Sequence, residues 1–324
     1  MKVLSWNFDQ DARESFSLRL REWWQGAPSK PCSSKHQRAE RCSDTPTSKV
    51  KEISPKVEVV PQPEKIGFGQ DIWGEGFLGP GGVDYVAGLA KPLNPTSKDT
   101  MLMLSAELGG PAQVVTEAFG VWVSAFESSS LITELGMSPA VATDLDRKVD
   151  LQFSDFEKLQ LPERKFAYAL WKEGLFRVSD KQRLLNSVYD SLKPGGGLVI
   201  TDFVTPKRGY TSPEVQDWVC SEPVAPTLWS AEETLEVLNS LKFRVPIHED
   251  ISMEYQRIVI DAWKRWLVLL PRLQEEGKLD AQFRSALMSQ LTYWVHRANL
   301  IETGELRLFR YFALKPEDSL ASLG

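Results

Sequence analysis

One run near the middle of the chain, MLMLSAELGGPAQVVTEAFG (Met101 to Gly120), brings four apolar residues up to Ser105, Glu107, Gly109 and Gly110 and then into a helical pattern. Buried strand, tight turn and helix start, in that order, form the place where a doubly wound fold holds a nucleotide. Glycines there let the backbone take φ > 0 and pass close to the ligand. Ser105 and Glu107 stand where two further glycines are expected. The chain thus announces a cofactor fold while leaving its cofactor in question. Downstream, Lys172 and Glu173 in ALWKEGLF follow an apolar run and fall at the carboxyl edge of the predicted sheet. They are the candidate catalytic polar groups; the alternative is a solvent-facing ion pair on a loop.

Other reactive residue types carry less. Three histidines, His36, His248 and His296, share no metal-ligand spacing, and Cys32, Cys42 and Cys220 are too scattered for a disulfide framework, so no metal is expected. His248 reads as a strand-end or surface residue and His296, two positions after Trp294, as core-lining. Trp263 and Trp266 lie three apart on one helical face and read as packing.

The elements that must position these residues alternate regularly. Strands are expected at Met101–Leu104, Val121–Phe126 ending at Glu127, Val149–Phe153, Phe166–Leu170 and Leu198–Phe203, with helices between them at Pro111–Phe119, Leu131–Met137 and Asp180–Leu192. Ahead of the first strand, a Gly-rich aromatic stretch leads into a short helix at Val83–Leu93. Alternation of this kind implies right-handed crossovers and a parallel sheet covered on both faces. The C-terminal third adds a helix at Ala231–Leu241, a strand at Phe243–Glu249, a helical insertion broken at Pro271 and Gly277, and a last strand, Glu305–Leu314, antiparallel at the sheet edge. The sum is a seven-stranded mixed α/β sheet.

Residues 1–26 hold a short amphipathic helical pattern in which Phe16, Leu20, Trp23 and Trp24 share a face beside Arg13, Arg19 and Arg21. Segment 11–26 is read as docking on the body, on a protein partner or on a membrane surface. Residues 27–65 contain no Phe, Trp or Tyr but six prolines, the composition of a flexible linker. The folded domain is expected over residues 66–317, with 318–324 as a tail. No apolar run approaches the ~18 residues of a spanning helix and the N-terminus is too polar for a signal peptide, so the expected location is cytoplasmic, with a peripheral membrane association left open. Residues 1–60 carry 11 basic against 8 acidic residues and the remainder 27 against 36. That acidic body argues against nucleic acid as a partner.

Several segments together resemble one family. LKPGGGLVITDF (Leu192–Phe203), the strand ending in Glu127, Asp155 after the third strand and the terminal ELRLFRYFALKP resemble class I S-adenosylmethionine-dependent methyltransferases, which implies a Rossmann-like fold with a helical insertion before the last strand. WGEGFLGPGG (Trp73–Gly82) and EDIS (Glu249–Ser252) resemble the branch of phosphoethanolamine methyltransferases and cyclopropane-fatty-acid-synthase-like enzymes. The likeness spans roughly residues 66–315. It implies S-adenosylmethionine as cofactor, bound by Ser105, Glu107, Gly109, Gly110, Glu127 and Asp155, with Glu127 taking the ribose hydroxyls and Asp155 the adenine amino group.

The departures from the family pattern are specific. Met103 stands at the family's acidic position, Ser105 at its first loop glycine and Glu107 at its second, so the loop is degenerate. The family's acid–base Tyr and His fall at Gly69 and Arg177, and its phosphobase ligands near Phe203, Val224 and Pro226. A carboxylate within ~4 Å of the cofactor's own costs about 1 to 4 kcal/mol, and a Cβ at φ > 0 adds roughly 1 to 2 kcal/mol. Two readings follow: a non-catalytic binding or regulatory protein, or an active S-adenosylmethionine-dependent methyltransferase acting on a small-molecule or lipid-like acceptor. In the second, Glu107 turns to solvent or faces the sulfonium.

Overall fold

The structure, a computed structural model, describes residues 63–137, 147–277 and 280–318 of the 324-residue chain. The expected amphipathic segment 1–26, the linker up to residue 62 and the tail from residue 319 lie outside the described residues.

Seven strands make one mixed sheet, as the sequence predicts. They are β1 (Thr100–Leu104), β2 (Trp122–Glu127), β3 (Val149–Phe153), β4 (Phe166–Lys172), β5 (Leu192–Val204), β6 (Arg244–Asp250) and β7 (Arg307–Leu314), in the order β3-β2-β1-β4-β5-β7-β6. The first five are parallel, and β7 runs antiparallel to both β5 and β6. β1 lies at the centre with Met101 through Leu104 all buried, which is why it reads as an uninterrupted apolar run.

Three expectations need correction. β7 is not the sheet edge, because β6 pairs along its outer side and takes the edge position itself. β4 extends to Lys172, so Lys172 ends a strand instead of lying past one. β5 begins at Leu192, not Leu198: Leu192 already pairs with Phe166, and the register then jumps so that Tyr168 faces Gly197. The Pro-Gly-Gly-Gly stretch makes that jump possible. Gly195 sits at φ 74°, and a Cβ on Gly196 would lie 2.7 Å from the Lys193 carbonyl oxygen.

Two helices have weak sequence signals. Helix α1 (Pro63–Trp73) contains two glycines but is held by aromatic packing, with Phe68 edge-on to Trp266 at 4.9 Å and Trp73 edge-on to Trp294 at 4.9 Å. A second helix, Pro213–Ser221, opens on Ser212, whose hydroxyl accepts from the Val215 N–H at 3.1 Å, and buries Val215 and Trp218. The insertion before β7 consists of α-helices Ser252–Leu267, Leu270–Glu275 and Ala281–Glu302. Trp263 and Trp266 are buried there, as expected, beside Phe68 and Phe283. His248 is exposed, also as expected, whereas His296 is only half-buried and does not line the core. No helix among the described residues is long and apolar enough to cross a membrane.

Candidate functional site

The carboxyl ends of β1, β2 and β4 converge on the turn that follows β1. Ser105 and Glu107 occupy the left-handed region at φ 58° and 56°, with Gly109 at 96°, before helix Gly110–Phe119 begins. The backbone is therefore the one a glycine turn adopts, built with two side-chain-bearing residues, each at a cost of roughly 1–2 kcal/mol. The turn is clamped from outside: Gly110 N–H donates to the Gly76 carbonyl at 3.1 Å, and a Cβ on Gly76 would lie 2.7 Å from Gly110 Cα. That contact ties the WGEGFLGPGG segment to the loop.

Both added side chains have buried partners. Ser105 Oγ accepts from the Trp171 indole N–H at 3.1 Å. Glu107 Oε1 lies 2.6 Å from Lys172 Nζ, while Oε2 accepts from the backbone N–H of Leu78 and, at 3.2 Å, of Gly79. Two consecutive N–H groups and an ammonium make an anion cradle, and the chain's own carboxylate lies in it. Beside the cradle a Cβ at Gly81 would crowd Lys172 Cε at 3.3 Å, whereas one at Gly79 would stand 3.5 Å from Lys172 Nζ, an ordinary contact.

Lys172 and Glu173 are not a solvent-facing pair. Lys172 is 3% exposed and also meets Glu173 at 3.4 Å; Glu173, at φ 49°, accepts from Tyr85 Oη at 3.2 Å and Tyr255 Oη at 3.0 Å. Burial alone would pull the Lys172 ammonium down, but the Glu107 and Glu173 carboxylates outweigh it and hold the pKa above the ordinary lysine value. Burial raises Glu173, and burial together with the Glu173 charge raises both tyrosines well above their usual range.

Glu127, at the tip of β2, anchors the turn. Its Oε2 accepts from the Glu107 N–H at 3.0 Å, and its Oε1 from Ser128 N–H at 2.7 Å, Ser128 Oγ at 3.2 Å and Ser129 N–H at 3.3 Å. Burial raises its pKa against those bonds. Asp155 lies at the surface, with Lys158 at 2.8 Å holding its carboxyl below the usual range. The Ser154 N–H donates to the Glu127 carbonyl at 2.9 Å and fixes the two strand tips together. Ser105, Glu107, Gly109, Gly110, Glu127 and Lys172 thus meet in one place; Asp155 lies at its rim.

A second buried cluster lies beyond β4 and β5. Glu222 accepts from Arg297 Nη2 at 2.6 Å, Arg177 Nη2 at 3.3 Å and Tyr293 Oη at 3.2 Å. The Arg297 guanidinium stands among Tyr293 (4.3 Å to the ring centroid), Phe203 (4.8 Å), Trp294 (5.2 Å), Trp218 (5.6 Å) and Phe176 (5.6 Å). This is an aromatic cage around a cation, filled by the protein itself. Arg177 and Phe203, at positions where the family resemblance puts acceptor-handling groups, both belong to it, whereas Val224 is exposed. Burial raises Tyr293 to about 12, and the two arginines hold Glu222 below its usual range although burial opposes them.

Neither Tyr85 and Tyr255 nor the Glu222 cluster was singled out from sequence. A signal existed for the second: Arg297 follows Tyr293 by four positions in an apolar helix, a spacing that stacks a cation on a ring.

No protein-family model matches the chain. It is 24% identical over 256 residues to phosphoethanolamine N-methyltransferase 2 of Caenorhabditis elegans, covering 76% of this chain and 54% of that protein. It is 22% identical over 209 residues to the phosphoethanolamine N-methyltransferase of Plasmodium falciparum, covering 64% and 74%. The chain thus spans about half the length of the first of these relatives. Among solved structures, Haemonchus contortus phosphoethanolamine N-methyltransferase 2 in complex with S-adenosyl-L-methionine superposes with TM-score 0.67 at 20% identity, over 78% of this chain and 57% of that one. Geranyl diphosphate C-methyltransferase from Streptomyces coelicolor gives 0.54 at 16%, over 71% and 78%.

The fold is that of the class I S-adenosylmethionine-dependent methyltransferases, and the curated relatives just named are similar to the chain in sequence. Phosphoethanolamine N-methyltransferases are prominent among its relatives, in line with the WGEGFLGPGG and EDIS segments.

Proposed function

We propose that this chain is a non-catalytic member of its family, a pseudoenzyme that acts through binding or regulation. The observation that carries the reading is the Glu107 carboxylate in the cradle of Lys172, Leu78 N–H and Gly79 N–H. In the family this loop approaches the methionine portion of S-adenosylmethionine, which brings a carboxylate of its own. Here an ammonium and two N–H groups that could receive that carboxylate are engaged internally, and a second anion beside Glu107 is repelled by about 1–4 kcal/mol at ~4 Å. S-adenosylmethionine does not fit the turn as it stands.

The acceptor side supports the same reading. A methyl acceptor bearing an amine needs an electron-rich pocket, and the aromatic cage here already surrounds Arg297, neutralised by Glu222. No general base stands in the positions the resemblance assigns to acid–base groups, Gly69 and Arg177.

Calorimetry with S-adenosylmethionine and S-adenosylhomocysteine tests this. The expected result is a Kd weaker than about 1 mM for the wild type and clear binding after Glu107→Gly. Micromolar binding of either ligand by the wild type, with methyl transfer to phosphoethanolamine, overturns the reading in favour of an active methyltransferase.

A further inference from the structure

Strand β5 ends beside a second nest of buried charge, on the face opposite the Glu107 cradle. Asp202 is 1% exposed, and its Oδ1 accepts from the Phe176 N–H at 3.0 Å. Lys181, the first residue of the helix Lys181–Ser191, is also 1% exposed; its ammonium lies over the Trp229 ring at 4.9 Å and makes no ion pair among the described residues. The other groups that face these two are Arg177, Glu233 from the helix Ala231–Ser240, and Tyr311 from β7, whose hydroxyl donates to the Ala231 carbonyl at 3.3 Å. Burial lifts Asp202 to about 7 although Lys181 and Arg177 oppose it, and burial lowers Lys181 although Asp202 and Glu233 oppose that.

The helical turn Leu175–Arg177 covers Asp202 and joins it to the cleft. Besides its bond to Asp202, Phe176 accepts at its carbonyl from the Thr227 N–H at 2.8 Å. The Phe176 ring stacks on Trp218 at 5.9 Å and meets Phe203 edge-on at 5.3 Å, so it is one wall of the Arg297 cage, and Arg177 beside it reaches Glu222 at 3.3 Å. A carboxyl sealed under this turn has no water while the turn is down and regains it when the turn lifts. Lifting returns Asp202 to an ordinary carboxyl that holds its proton less tightly, so the lifted position gains as pH rises from the ordinary carboxyl range to about 7 and gains no more above it. We propose that Asp202 gates this wall of the cleft: with its proton on, it keeps the turn Leu175–Arg177 against the sheet, and its ionisation favours a local opening that frees Phe176 and Arg177 from the cage.

Hydrogen exchange of the full chain between about pH 5 and about pH 8, corrected for the intrinsic rate, tests the gate. Protection of the Phe176 and Thr227 amides should fall by up to ~10-fold per pH unit until about pH 7 and then level off. A local opening also leaves both amides at least ~10-fold less protected than that of Leu102 in β1, with no response to low urea. Asp202→Asn, neutral at every pH, should abolish the fall. Lys181→Met removes a cation that favours the ionised form and should move the levelling to higher pH, which keeps the inference testable should the Asn variant not fold. Protection at Phe176 that does not change with pH, a fall of equal slope in Asp202→Asn, a levelling unmoved in Lys181→Met, or protection equal to that of Leu102 overturns the inference.

Discussion

Glu107 and Lys172 meet at 2.6 Å across the carboxyl edge of the sheet, one from the turn after β1 and the other from the last position of β4. The pair joins the two strands where the resemblance places a ligand, and its partners reach back to the Leu78 and Gly79 N–H groups. Its integrity is a stability property before it is a binding property.

Lys172→Met would leave the part-buried Glu107 and the buried Glu173 without their cation. Removing one partner of a buried pair costs about 3–5 kcal/mol, and denaturant unfolding should show a loss in that range. A loss below about 1 kcal/mol would mean the pair behaves as a surface ion pair.

Arg297→Met should cost a similar ~3–5 kcal/mol, since Glu222 would stay buried beside only Arg177 and Tyr293. Adding Glu222→Gln should recover much of that loss. Additive effects in this double-mutant cycle would show that the two do not interact.

Gly76→Ala should destabilise by about 2–4 kcal/mol, combining overpacking against Gly110 with a side chain at φ 80°. A midpoint in urea within error of the wild type would mean that the loop and the WGEGFLGPGG segment are not held in contact.

Asp202 accepts from the Phe176 N–H at 3.0 Å, and burial pushes its pKa up to about 7, with Lys181 opposing. A carboxyl raised in the folded state binds its proton more tightly there than in the unfolded chain, so stability falls as pH rises from about 4 to about 7, by at most about 1.4 kcal/mol per unit. Glu127 and Glu173 are raised too and act with the same sign. The test is therefore the difference between wild type and Asp202→Asn: the variant should show a shallower decline over that interval, and parallel curves would refute the assignment.

Most element positions are legible because βα alternation and apolar runs are local signals: Val149–Phe153 is found as expected and β1 differs by one residue, whereas the edge position of β6 outside β7 is not. The start of β5 is hidden because Pro-Gly-Gly-Gly reads as a helix stop, and the pairing of that strand with β4 and β7 is a non-local fact. In the site, the strain at Ser105 and Glu107 was legible from the missing glycines. The destination of the Glu107 side chain was not, since Lys172 lies 65 positions away and Leu78 29. Nor did sequence separation betray that Tyr85 and Tyr255 share Glu173.

A carboxylate borne on the loop that it fills cannot diffuse away. Its local concentration is set by a tether of a few bonds and does not fall when metabolite levels change, so a free competitor displaces it only by exceeding that effective concentration. The occupancy of the cradle is thereby tied to the backbone conformation at residues 105–109, which sets where the Glu107 carboxylate can reach.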